Sequence, residues 1–231
     1  MIEYAVPTLN QLEWLFTRHL RSMKFNLFSR VSIIVNEIDA EKNVLCAAIG
    51  QKYPVVITKV DHNAGVSKSW NHFMADALQR GARSIVIAND DIEYTDPTAL
   101  PRLCEALEEH PFAYINATHE NAFSCFGMQL SLARYVGFFD EQFSPAYFED
   151  NDYAYRLKLA GIPMHPVEGQ YFHCGSATLG RFDWTRKQMH HHNFRKNAEY
   201  YVRKWGGMPG DERYTVPFQN GEDYDHADHR P

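Results

Sequence analysis

Four short apolar runs, alternating with stretches of helical period, limit most strongly what this chain can fold into. Residues 2–6, 31–35, 54–58 and 84–88 have the length and composition of buried strands. Within residues 9–23, Leu12, Leu15, Phe16 and Leu20 recur at helical spacing. Further helical stretches lie around residues 41–49 and over 66–79, the latter closed by Gly81. Strand–helix–strand alternation predicts an α/β architecture, with a parallel sheet wrapped by helices. In such sheets ligands bind at the carboxyl ends of the strands. The polar loops after Val6, Val35, Thr58 and Ala88 are therefore expected to converge on one cleft.

The second half is less regular. A helix is predicted over 97–109, strands over 113–117 and 124–130, and an aromatic-rich loop over 138–148. A helix over 149–160 ends at Gly161 with Pro163 just beyond, and short extended pieces follow at 164–167 and 171–173. A long helix is predicted over 183–205. No repeat or linker interrupts the pattern, so a single domain is expected over 1–207, with halves at 1–96 and 97–180 and a terminal helix at 181–207. With 45% apolar residues in 231, the chain is not disordered as a whole. No run approaches the roughly 18 apolar residues of a membrane helix, so no stable membrane insertion is expected. The first ten residues contain Glu3 and Pro7 and lack a basic segment, unlike a secretion signal. Cys46, Cys104, Cys125 and Cys174 show no CxxC spacing and read as buried, reduced thiols of a cytoplasmic protein.

The net charge of −6 argues against a general nucleic-acid coat, but charge is unevenly placed. Residues 181–204 carry seven basic side chains against Asp183 and Glu199, with His190, His191 and His192 in their midst. Such a stretch is a solvated helix face or a receiver for a phosphate-bearing ligand. Residues 208–231 reverse the sign and are expected to form an acidic, mobile tail.

The fourth apolar run passes directly into Asn89-Asp90-Asp91. Adjacent carboxylates at the mouth of a sheet repel unless a cation lies beside them. A divalent ion bridging to a diphosphate meets that need, and an ordinary turn is the plain alternative. Residues 63–71 open a helix with a small, glycine-containing entrance suited to a phosphate, or simply to a capped helix start. Neither GxxxxGK[ST] nor GxGxxG occurs, which disfavours NTPases and nicotinamide dehydrogenases.

Pro7-Thr8, residues 63–71 and the DXD-like Asn89-Asp90-Asp91 together resemble the nucleotide-sugar half of glycosyltransferase family two. Residues 137–143 resemble that family's GxFDExF loop, and residues 149–161 its EDxDxxxRxxxxG helix. Residues 173–178 resemble its HxxSxT end. The resemblance implies a GT-A fold and a metal-dependent, inverting transfer of a sugar from a nucleotide-diphosphate donor to an acceptor hydroxyl. It makes Asp91 and His173 ligands of Mn2+ or Mg2+, Asp90 a contact of the donor's ribose or sugar, and Asp150 the general base. Pro7, Thr8, Asn63 and Asn71 would border the nucleotide and diphosphate. The family's Asp after the second strand is replaced here by Asn36-Glu37-Ile38-Asp39, leaving Asn36 or Asp39 to take its place.

This chemistry suits the residues. Departure of a diphosphate builds negative charge that a cation, with Lys68, Arg181 or the basic helix, would offset. The expected acceptor is a glycan or a lipid-linked glycan. The basic helix also admits a hydroxylated nucleic-acid base. Two other classes compete: a metal-dependent phosphohydrolase or nucleotidyltransferase using Asp90 and Asp91, and a non-catalytic nucleotide-sugar binder.

Overall fold

The computed structural model describes residues 1–118, 120–174 and 184–219. Four strands, β1 (Ile2–Thr8), β2 (Arg30–Val35), β3 (Val56–Lys59) and β4 (Ser84–Ala88), pair in parallel in the order β3-β2-β1-β4. Beyond β4 the sheet continues through β7 (Cys125–Gln129), β6 (Phe112–Ile115) and β8 (His165–Val167). Strand β7 runs antiparallel to both neighbours, making the seven-stranded sheet mixed. A separate two-stranded ribbon joins β5 (Ile92–Tyr94) to β9 (Tyr171–His173).

Strand periodicity sorts side chains between two cores. Tyr4, Val6, Ile33, Val35 and Val86 face a cluster shared with helix α3 (Ala40–Lys52) and helix α5 (Ala99–Glu109). Ala5, Ile34, Ile85 and Ile87 face the opposite cluster, shared with helix α4 (Val66–Gln79), helix α6 (Ser131–Tyr135) and helix α7 (Glu149–Leu159). A third cluster joins Phe143, Phe148 and Tyr155 to Tyr201 and Trp205 of helix α8 (Trp184–Trp205).

Several local expectations change. Strand β1 does not stop at Pro7 but runs to Thr8. Asn36 donates its backbone N–H to the Thr8 carbonyl, so Thr8 faces β2 and Pro7 faces β4. Pairing with β4 ends at Ala5, and the missing N–H of Pro7 breaks no ladder bond. The first helical run begins at Leu12, as α1 (Leu12–Trp14), and continues through a π-helical turn, Leu15–His19, into α2 (Leu20–Ser22). That turn buries His19, whose Nε2 meets the Tyr4 hydroxyl at 2.8 Å. Burial lowers the His19 pKa to about 3, keeping the ring neutral.

The expected tail boundary also moves. Arg213 and Tyr214 donate backbone N–H groups to the Trp205 carbonyl, and Phe218 to that of Lys204. Tyr201 donates to Glu212 at 2.7 Å and Tyr155 to the Tyr214 carbonyl at 2.9 Å. Residues 208–219 thus fold back on α8, while 220–231 lie outside the described residues. All four cysteines are free thiols; Cys46 and Cys125 are buried, but Cys174 is exposed. Among the described residues no helix is long and apolar enough to cross a membrane.

Candidate active site

Strand β1 lies between β2 and β4, so the chain leaves the sheet in two directions at its carboxyl edge. The loops there open a cleft of about 380 Å³. One wall carries Pro7, Thr8, Asn36, Asn63, Asp90 and Asp91; the other carries Glu149 and Asp150, with His173 also reaching the cleft.

Asp90 and Asp91 are buried at the turn between β4 and β5. Burial, and then the neighbouring Asp91 charge, raise the Asp90 pKa to about 7. Register on the β5–β9 ribbon sets His173 opposite Ile92, next to this turn, and the Cys174 N–H bonds to the Asp91 carbonyl at 3.0 Å. The His173 Nε2 consequently lies 3.0 Å from Asp91 Oδ1, while its Nδ1 contacts Glu120 Oε2. Burial would lower the His173 pKa, but the two carboxylates outweigh it and raise the pKa to about 9. An imidazole held by a carboxylate on one nitrogen and aimed beside another carboxylate fits a divalent-cation site completed by ligand oxygens. Among the described residues no cluster of three or more His, Cys, Asp and Glu forms a self-sufficient metal cage. Ser176 and Thr178 of the HxxSxT end, and Arg181, lie outside the described residues.

On the opposite wall, Asp150 stands in the first turn of α7. Asn121 donates to its Oδ2 at 2.7 Å and the Asn151 N–H to its Oδ1 at 2.8 Å, fixing both carboxylate oxygens. Glu149 beside it is 6% exposed, and burial, then the Asp150 charge, push its pKa well up. The chain enters α7 through Tyr147 and Phe148, with φ of 80° and 72°. Two consecutive bulky residues in the left-handed region persist only where surroundings hold them. Asn197 of α8 donates to the Ala146 and Tyr147 carbonyls at 2.9 and 3.2 Å, and the Phe194 ring packs on both aromatics.

Other motif residues hold the scaffold. Asn71 does not line the cleft; its amide bonds Phe139 through both backbone groups and reaches Glu141 at 2.9 Å. Its resemblance-implied place at the diphosphate gives way to a role pinning the 137–143 loop. Asn36 reaches the cleft but also receives the Ala64 N–H at 3.0 Å, while Asp39 caps α3 through the Lys42 N–H. The helix entrance at 63–66 is not an open anion cradle: Asn36, Asn63 and the Pro145 carbonyl take the N–H groups of Ala64, Gly65 and Val66. A Cβ on Gly65, at φ +85°, would meet that carbonyl oxygen at 2.8 Å.

The basic helix departs furthest from expectation. Lys204 is 2% exposed and bridges Asp140 at 2.6 Å and Asp152 at 2.7 Å. Trp205 donates its indole N–H to Asp152 at 2.8 Å, and Arg156 pairs with the same carboxylate at 2.8 Å. Arg156 also donates to the carbonyls of Val136 and Phe138. This cluster ties the GxFDExF loop, α7 and α8 together. Arg195, Lys196 and Arg203 remain exposed, as do His191 and His192. Lys68 is exposed and does not line the cleft. Glu120 and Asn121, which orient His173 and Asp150, were missed because they sit in an irregular loop with no period to reveal them.

No family model matches the chain. A galactofuranosyl glycosyltransferase of Leishmania donovani is 26% identical over 132 residues, covering 56% of this chain. The match spans only 30% of that relative's length. Glucosyl-3-phosphoglycerate synthase from Mycobacterium tuberculosis, solved with Mn2+, UDP and phosphoglyceric acid, superposes over 94% of this chain and 87% of its own. Its TM-score is 0.62 at 12% identity. The mannosyltransferase PcManGT from Pyrobaculum calidifontis, in complex with GDP-Man and Mn2+, gives a TM-score of 0.57 at 11% identity, over 72% of this chain and 54% of its own. A 4-diphosphocytidyl-2C-methyl-D-erythritol synthase from Anaerococcus prevotii scores 0.51 at 11% identity over 81% and 98%. Proteins of differently named activities thus share the architecture, and function has to be argued from the site rather than the fold. The chain has the GT-A fold of the nucleotide-diphospho-sugar transferases.

Proposed function

We propose that this chain is a metal-dependent, inverting glycosyltransferase that moves a sugar from a nucleotide-diphosphate donor to an acceptor hydroxyl. The observation that carries the reading is one cleft uniting Asp91 and His173, beside the β4 turn, with the doubly hydrogen-bonded Asp150 of α7. An oriented carboxylate across the cleft from that pair suits removal of a proton from an acceptor hydroxyl.

In this reading Pro7, Thr8, Asn36 and Asn63 border the nucleotide and Asp90 contacts the ribose or sugar. Asp91 and His173 would hold a divalent ion, Mn2+ or Mg2+, with Glu120 fixing the imidazole, and such an ion would supply Lewis-acid stabilisation of the leaving diphosphate. Asp150 receives the proton of the acceptor hydroxyl as that oxygen bonds to the anomeric carbon and the bond to the diphosphate breaks. Asn121 and the Asn151 N–H keep the carboxylate aimed for that transfer. A single displacement inverts the anomeric centre. The acceptor is a glycan or a lipid-linked glycan. The Mn2+, UDP and GDP-Man in complex with the structural neighbours support the donor class and the ion.

Thermal unfolding with UDP- and GDP-sugars, each with and without Mn2+, tests this reading. A donor at 100 times its Kd adds about 2.7 kcal/mol, a rise of roughly 5–10 °C for a chain of this size. A metal-dependent rise with one nucleotide series is the expected result. No rise with any nucleotide sugar or nucleoside diphosphate contradicts it.

A further inference from the structure

The turn that carries Asp90 and Asp91 is pinned at both ends by backbone bonds. Asn89 donates its N–H to the Ser124 carbonyl at 2.9 Å, and the Asp91 carbonyl accepts the Cys174 N–H at 3.0 Å. On the buried side of the same turn lies His19, a fully buried side chain that the reaction above does not use. The carbonyls of Ile92 and Asn89 act on its ring as hydrogen-bond acceptors, and the Asp91 charge reaches it. The ring also packs edge-on against Tyr94 of β5, with centroids 5.7 Å apart. Ser22, one turn further along, accepts the Tyr94 N–H at 3.0 Å and ties the helix to the same strand. His19 closes the π-helical turn Leu15–His19. Such turns insert a residue into a helix and occur frequently at functional sites.

The hydrogen bonds give the ring a direction. Burial keeps it neutral, so one nitrogen donates and the other accepts. Carbonyls only accept, so the donor is Nδ1, the ring atom that has no fully formed bond. Nε2 then accepts the Tyr4 hydroxyl at 2.8 Å. Tyr4 in turn accepts from Tyr94 at 2.6 Å, and Tyr94 from the Cys125 thiol at 3.3 Å. All four side chains are buried, and each hydrogen in the chain is passed toward His19. A buried polar network rigidifies its surroundings when every member is satisfied. Here the last donor, Nδ1, finds its acceptors on the backbone of the carboxylate turn. A donor beside its acceptors without full bonding geometry tightens when the site is loaded.

We propose that His19 is a positioning residue: through its Nδ1–H and the backbone of residues 89–92, it sets the Asp90–Asp91 turn to receive a divalent cation. The proposal rests on the metal reading of Asp91 and His173 above and adds the buried group that prepares that site.

The first arm of the test uses the unaltered chain, carrying nitrogen-15-labelled histidine. NMR follows the His19 imidazole as Mg2+ and UDP, or Mg2+ and GDP, are added. The expected spectrum is a neutral Nδ1–H tautomer, protected from exchange with water, whose proton moves downfield as the ion is added. A ring protonated on Nε2 instead, or one unmoved while ion and nucleotide bind, overturns the proposal. The second arm measures Mn2+ affinity by electron paramagnetic resonance, with the same nucleotide present, for wild type, His19→Asn and His19→Phe. The Asn amide nitrogen stands where Nδ1 stands, so His19→Asn should bind Mn2+ within about threefold of wild type. His19→Phe keeps a buried ring but no donor and should bind Mn2+ about tenfold more weakly, the low end of what loss of a supporting group costs a metal site. Nucleotide affinity without metal should be the same in all three proteins. Equal weakening in both variants, or unchanged Mn2+ affinity in His19→Phe, assigns His19 to packing alone and overturns the proposal while leaving the metal reading standing. Wild type that binds neither ion with either nucleotide overturns both. The spectrum of the unaltered chain decides the matter if a variant fails to fold.

Discussion

The wall that carries Thr8, Asn36 and Asp90 is held by strand ladders and neutral hydrogen bonds, whereas the wall that carries Asp150 hangs on a buried cluster of charges. On the first, parallel pairing of β1 with β2 and β4 fixes three strand ends in register, and Asn36 stitches the adjoining loop to Thr8 and Ala64. On the second, Asp140, Asp152, Arg156 and Lys204 join elements that share no strand pairing. Backbone ladders make a wall that tolerates side-chain change. Desolvated ion pairs make one that fails when a single partner is lost, because the remaining charges stay buried.

The largest expected effect tests that contrast directly. Lys204→Met leaves Asp140 and Asp152 without their shared cation and should cost about 3–5 kcal/mol in urea unfolding, lowering Tm by about 10 °C. A loss below about 1 kcal/mol would show that the cluster is not what holds the second wall. Asp150→Asn comes next: sugar transfer should fall by at least about a hundredfold while donor affinity stays within about twofold. Asp91→Ala should instead weaken donor and metal binding together. Normal turnover by Asp150→Asn would remove the base from the mechanism.

Acid sharpens the comparison. Burial pushes the Asp152 pKa up, but Lys204 and Arg156 outweigh it and hold the carboxyl below its ordinary range. A depressed folded-state pKa adds stability that is fully present above the unfolded value of about 3.9 and is lost as pH falls through the folded value. The stability gap between wild type and Lys204→Met should therefore shrink below about pH 4, as read from urea midpoints across pH. A gap that is constant to pH 2 would assign the Lys204 effect to packing instead. Asn71→Ala should cost about 1–3 kcal/mol by orphaning its partners on Phe139, with little direct effect on nucleotide affinity. The smallest change is Asn121→Ala, expected to lower kcat about five- to tenfold through loss of one bond to Asp150, with KM for the donor unchanged.

The same contrast explains what the sequence made legible. The first wall is local: β4 runs into Asp90-Asp91, β1 into Thr8, and strand period with turn chemistry exposes each end. The helix that carries Asp150 was legible too, since Glu149 and Asp150 open it and Gly161 follows its close. Contacts distant in sequence were not. Lys204 looks like its exposed neighbour Arg203 until the fold brings Asp140 and Asp152 to it, 64 and 52 positions away in the chain. Asn71 has the chemistry of a ligand contact, yet it bonds Phe139 across 68 residues. The paired left-handed residues Tyr147 and Phe148 carry no glycine to announce them.

The most direct measurement of the central claim is anomalous diffraction from crystals grown with Mn2+ and the nucleoside diphosphate that stabilises the chain. The expected result is a manganese peak bound by the Asp91 carboxylate and His173 Nε2, in the cleft that also holds Asp150. A well-occupied ion elsewhere, with the Asp91–His173 contact intact and the cleft empty of nucleotide, would contradict it.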